Sequence, residues 1–93
     1  VLEGNLFGVA AVSAADVWAV GSFLTTSSIQ QALFEHWNGR KWSTVRSPAT
    51  GAGTVMFAVA SVSANDVWAV GQSLNATSTA QTLIEHWNGH KWS

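Results

Sequence analysis

Glu35-His36 and Glu85-His86 are the acid and base neighbours that invite a catalytic reading, and each opens the string Glu-His-Trp-Asn-Gly, at residues 35–39 and 85–89. General acid–base chemistry needs both groups within reach of one substrate atom. Each string sits in a strand-like segment, where neighbouring side chains point to opposite faces of a sheet. Glu35 and His36 therefore serve different surfaces, and cross-strand packing is their expected work. With a two-residue loop at Asn38-Gly39, Lys41 falls opposite His36 and Trp42 opposite Glu35. His90 stands where the first string is followed by Arg40, and the repeated histidines belong to separate units. The three or four converging ligands of a metal site do not come together. No Ser/His/Asp arrangement, phosphate-cradling glycine loop or paired carboxylate emerges, so no catalytic residue, metal site or cofactor is expected. Asn75-Ala76-Thr77 matches a glycosylation acceptor, a pattern with meaning only in a eukaryotic secretory setting.

The elements that carry these residues are copied in tandem. Asp16-Val17-Trp18-Ala19-Val20-Gly21 returns fifty residues later as 66–71, at the same offset as the two Glu-His-Trp-Asn-Gly strings. A fixed period of this length marks one supersecondary unit used twice. Residues 6–13 are rich in Val and Ala and uncharged, which suits an innermost strand buried on both faces. Residues 13–16 read as a turn, in which Ser13 and Asp16 bond to local backbone. Residues 17–21 are the second strand, and the Ser/Thr/Gln-rich stretch 22–31 is a loop. Residues 32–37 form the third strand, Asn38-Gly39 a type I′ hairpin turn, and 41–45 the fourth strand. The second unit repeats the plan with strands at 56–63, 67–71, 82–87 and 91–93. Its last strand is short, because Ser93 aligns with Ser43. No helical period occurs, so the fold class is all-β: two four-stranded antiparallel units, residues 1–50 and 51–93.

With an apolar first strand, Val-Trp-Ala-Val-Gly in the second, aromatics in the third and a tryptophan opening the fourth, the whole chain resembles the kelch-like β-propeller repeats. The resemblance implies that each unit is one propeller blade, a twisted four-stranded sheet that packs face to face on its neighbours. Related bacterial multi-blade proteins are where such strings are expected. Two blades do not close a ring, and known rings have about 4 to 8.

Composition points the same way. Apolar residues make up 47% of the 93 and charged residues 10%, against about 25% charged in a typical soluble domain. So little charge cannot coat a free-standing surface of this size. Exposed apolar patches beyond a few hundred Å² are rare on soluble monomers, so the chain is expected to associate with itself head to tail, a contact that closes when the rotation permits. Three copies give six blades, the favoured ring, and four give eight. Residues 1–3 are expected to stand where 44–46 lie in the first unit, lending an outer strand at the junction.

Other partners are constrained by charge and hydropathy. A net charge of −1 leaves no basic stripe for nucleic acid. No run approaches the roughly 20 apolar residues of a membrane span, and no charged segment precedes an apolar signal-like run. The chain reads as soluble, and without an initiator Met it reads as a processed or excised piece. Absence of cysteine fits any compartment.

Of the six tryptophans, Trp18 and Trp68 are expected in the core, Trp42 and Trp92 as packed starts of outer strands, and Trp37 and Trp87 beside the hairpins. Asp16 and Asp66 are assigned to turns, and Gly39 and Gly89 to positive φ. The turns recur almost unchanged between units, whereas 22–30 and 72–80 differ at most positions. Variable loops leave a face free to be specified for binding. A glycan or protein ligand would meet Ser22, Thr25, Gln72, Ser73 and Asn75 there.

Overall fold

The computed structural model describes residues 3–25, 29–45, 53–74, 77 and 79–93, and for Glu3 only the backbone. Among these the chain is all-β. Strands β1 (Glu3–Ser13), β2 (Asp16–Leu24), β3 (Gln30–Trp37) and β4 (Trp42–Val45) form one antiparallel sheet in that order, and β5 (Thr54–Ser63), β6 (Asp66–Leu74) and β7 (Ala80–Trp87) form a second. The repeat in sequence is a repeat in register: Trp18 pairs with His36 and Trp68 with His86, and β1 on β2 matches β5 on β6.

Both first-to-second strand ladders carry two irregularities at matching places, one between Ala11 and Ser13 and between Ser61 and Ser63, the other between Leu6 and Gly8 and between Met56 and Ala58. Each of the latter bulges turns out a phenylalanine, Phe7 and Phe57, whose rings lie 6.0 Å apart. The glycine of each Val-Trp-Ala-Val-Gly strand is required at that point. A side chain on Gly21 would run into the backbone of Asn5 and Leu6, and one on Gly71 into Val55 and Met56.

The second sheet differs from the four strands expected. Its fourth strand is reduced to a bridge between Trp87 and Trp92, with His86 and Ser93 exchanging two backbone bonds of 3.0 and 2.9 Å. In the first sheet the same ladder runs on through Thr44 and Val45, and the counterparts of these two lie past residue 93. The hairpins also differ. Trp37 pairs with Trp42 and Glu35 with Thr44, so the loop spans 38–41 and is not a two-residue turn. Asn38 is the reason: its Oδ1 accepts from the backbone N–H of Arg40 (2.9 Å) and Lys41 (3.1 Å), an Asx turn that widens the loop, with Gly39 at φ 97°. Gly89 repeats this at φ 100°.

The loop expected over 22–31 is mostly ladder. Ser22, Phe23 and Leu24 pair with Ala32, Gln31 and Gln30, and 72–74 pair likewise with 80–82. Short polar side chains tolerate a strand whose backbone bonds are all made, which a search for apolar alternation misses. The proposed seal by residues 1–3 lies outside the described residues, apart from the backbone of Glu3, which pairs with Leu24.

The core lies between the sheets. Trp18, Val20, Ala32 and Phe34 of the first meet Met56, Val67, Ala69 and Trp92 of the second. Trp18 stands edge-on to Trp92 (5.2 Å, 88°) and tilts on Trp87 (4.9 Å), while Phe34 packs on Trp92 at 4.4 Å. Edge-to-face and tilted pairs suit the ring quadrupoles. Thr54 Oγ1 accepts from the backbone N–H of Ala32 (2.7 Å), and Ser61 Oγ donates to the carbonyl of Ala11 (3.1 Å), tying β5 to the first sheet. It is β2, and not β1, that is buried on both faces from Trp18 to Ser22. In the order β1-β2-β3-β4, β1 is an edge strand, and Leu6, Phe7 and Val9 stand exposed.

Because Phe34 is fully buried against Trp92, Phe34→Ala is expected to remove about 3–5 kcal/mol of unfolding free energy. Urea unfolding checks this, and a loss below about 1 kcal/mol would place the ring outside the stabilising core.

Candidate functional site

β2 and β3 bring together three side chains in each unit. Asp16 lies two residues before Trp18 on the same face, and the ladder sets His36 opposite Trp18. Asp16 Oδ1 accepts from His36 Nε2 at 2.7 Å, and the imidazole lies tilted by 42° against the Trp18 ring at 4.5 Å. The second unit repeats the arrangement with Asp66, His86 and Trp68, at 2.8 Å and 4.2 Å. The aspartates thus do more than shape a turn. Sequence reasoning missed the pairing, although Asp16 and His36 both recur at the fifty-residue offset and strand register alone sets them side by side. In each unit the carboxylate fixes the imidazole through Nε2, and the tryptophan ring lies tilted against it.

Glu35 and His36 do point to opposite faces. Glu35 lies opposite Ala19 and accepts a bond from Thr44 Oγ1. In the second unit the same carboxylate is Glu85, 6% exposed, with Oε1 buried and unpartnered. It shares the face of Ala69 and looks into the space between the sheets. Burial pushes its carboxyl above the ordinary value of 4.5. Among the described residues no group of three or more His, Asp or Glu converges as metal ligands would.

The residues expected on the variable face are dispersed. Ser22 is buried, its Oγ accepting from Gln30 Nε2 at 2.9 Å. Thr25 Oγ1 accepts from the backbone N–H of Ile29 at 3.2 Å. Gln72 and Ser73 stand within β6, half-buried, and Asn75 lies outside the described residues.

The tryptophans divide in an unexpected way. Trp18 and Trp92 are buried and Trp37 and Trp87 half-buried, but Trp68 and Trp42 are exposed, against the packing expected of both. The division follows the repeat. The first sheet's inward face has its copy on the second sheet's outward face: Trp18 at 1% exposure corresponds to Trp68 at 45%, and Phe34 at 0% to Ile84 at 56%. Val20 and Val70 divide the same way. In the other direction, buried Met56 corresponds to exposed Leu6, and Trp92 at 3% to Trp42 at 46%. Each outer face is hollowed. One depression of about 310 Å³ is lined by Leu6, Phe7, Gly8, Val9, Ala19 and Trp42, and a smaller one of about 140 Å³ by Ala58, Val59, Ala60, Trp68 and Val70.

The orphaned carboxylate of Glu85 carries a sign. A carboxyl whose folded value is raised keeps its proton longer in the folded chain than in the unfolded one, so stability is greatest below the ordinary value and falls as pH rises through it toward the raised value. Glu85→Gln removes this loss. The difference in Tm between variant and parent is expected to be small near pH 4 and to grow in the variant's favour toward pH 7. A difference independent of pH would mean the carboxylate carries no burial penalty.

No family model, curated protein or solved structure matches this chain, so its functional reading rests on its own geometry.

Proposed function

We propose that this chain is a self-assembling, non-catalytic repeat module: two kelch-like blades that join head to tail with further copies into a closed β-propeller. Three copies and six blades are the favoured ring, and four copies with eight blades the alternative. One observation carries the reading. Each exposed apolar face is the fifty-residue copy of a face that the same chain buries in its own core. A surface that repeats half of a working interface on one side, and the other half on the opposite side, is built for heterologous association. Open Trp68, Val70 and Ile84 next to little charge would otherwise remain in water.

A second reading is a binding module for a carbohydrate or a protein. The 310 Å³ depression beneath Trp42 has the size of a small-ligand site and offers an aromatic platform. Its lining is apolar throughout, without the convergent polar groups that orient a sugar, and this ranks it second.

An interface that forms only in the folded state makes Tm rise with protein concentration. The parent chain is expected to show that rise, and Val70→Lys, which puts a charge on an already exposed position, to abolish it without loss of the β-sheet circular dichroism signal. A parent Tm independent of concentration would overturn the assembly reading.

A further inference from the structure

The closed contact inside the chain also specifies how the open faces meet. Trp18 is held between two rings of the next sheet, Trp87 and Trp92, and the places fifty residues earlier are Trp37 and Trp42. Those two rings already stand 5.8 Å apart across their hairpin, and Trp42 is exposed. Trp68, the copy of Trp18, is exposed on the far sheet with no tryptophan against it. Resting on the assembly reading, we infer that a second copy of this chain seats its Trp37 and Trp42 around Trp68, and that this aromatic clasp is the main specific contact of the junction.

Two features of the chain give the clasp that weight. The hydrogen bonds that tie β5 to the first sheet come from Thr54 and Ser61, and the matching places on an incoming first sheet are Gly4 and Ala11. Neither has a hydroxyl, so the junction between copies lacks these bonds. Phe34 against Trp92 becomes Ile84 against Trp42, with one ring fewer. What carries over unchanged is a tryptophan between two tryptophans.

The clasp also changes a hydrogen bond. In the uncovered sheet Trp68 Nε1 donates to Asp66 Oδ1 at 3.0 Å, while in the covered sheet Trp18 Nε1 is buried without a partner among the described residues and Asp16 bonds His36. One molecule thus displays both states of the unit. Covering Trp68 draws its indole N–H away from Asp66 and leaves that aspartate to His86.

The test uses two full-length variants, each blocked on one face at an exposed position. Val9→Lys blocks the first sheet's outer face and Val70→Lys the second's, with Leu6→Lys and Ile84→Lys as replacements if either loses its β-sheet signal. Each alone is expected to have the mass of one chain. Mixed at high concentration, they are expected to give a one-to-one heterodimer, because each retains the face that the other lacks. Within that heterodimer, Trp68→Ala on the Val9→Lys chain and Trp42→Ala on the Val70→Lys chain should be non-additive in Kd by about 2- to 10-fold. The Trp68 Nε1–H proton resonance, assigned by its loss in Trp68→Phe, should shift on mixing. If the parent chain assembles but the mixture does not pair, or pairs with additive tryptophan effects and an unmoved resonance, the clasp is wrong while assembly stands. A parent chain that stays single defeats the assembly reading itself.

Discussion

A β-sheet that is apolar on both faces must be covered twice, and the two sheets of this structure share one contact. Nearly everything in this molecule follows from that arithmetic. The contact it makes is aromatic: Trp18 lies edge-on to Trp92 and tilted on Trp87, with Phe34 on Trp92 behind it. Burying large rings at about 25 cal/mol per Å² gives this contact its cohesion. Each sheet builds the same surround for one tryptophan, with the imidazole of an Asp–His pair against its ring. Around Trp18 that surround is matched by a partner surface. Around Trp68 the same surround is built and the ring stands in water.

Unequal surroundings of equal sequences are informative because the chain supplies its own control. Trp18 and Trp68, Phe34 and Ile84, or Glu35 and Glu85 sit at one register on one kind of strand, so differences between them come from their neighbours. Glu35 has Thr44 to donate to it, whereas Glu85, pressed between sheets beyond the reach of such a hydroxyl, is left with an unpartnered oxygen. A buried carboxylate without a donor is costly.

Much of the fold was legible because periodicity, turn residues and β-branched content agree with one another. The strands around Trp18, Glu35 and their copies follow from alternation, and the opposite facing of Glu35 and His36 follows from the pleat. What the sequence did not reveal is instructive. Ser22 and Gln72 read as loop residues because they are polar, yet ladder bonds depend on backbone, and Ser22 is buried. Asn38-Gly39 signalled a turn correctly, but Asn38 uses its side chain to hold a four-residue loop, shifting the pairing of every residue in β4 by two. The Asp16–His36 pair was hidden because its members are twenty residues apart and meet only through the register of β2 on β3. Residue type predicts Trp68 in a core and Trp42 as the packed start of an outer strand, and both stand exposed, because burial depends on what covers the sheet.

The central claim, that the exposed faces are halves of an interface between copies, is tested most directly by native mass spectrometry of the unmodified chain. The expected result is a single closed species at a whole multiple of the 9.8 kDa chain, with three copies favoured. A mass of one chain at every concentration would contradict it.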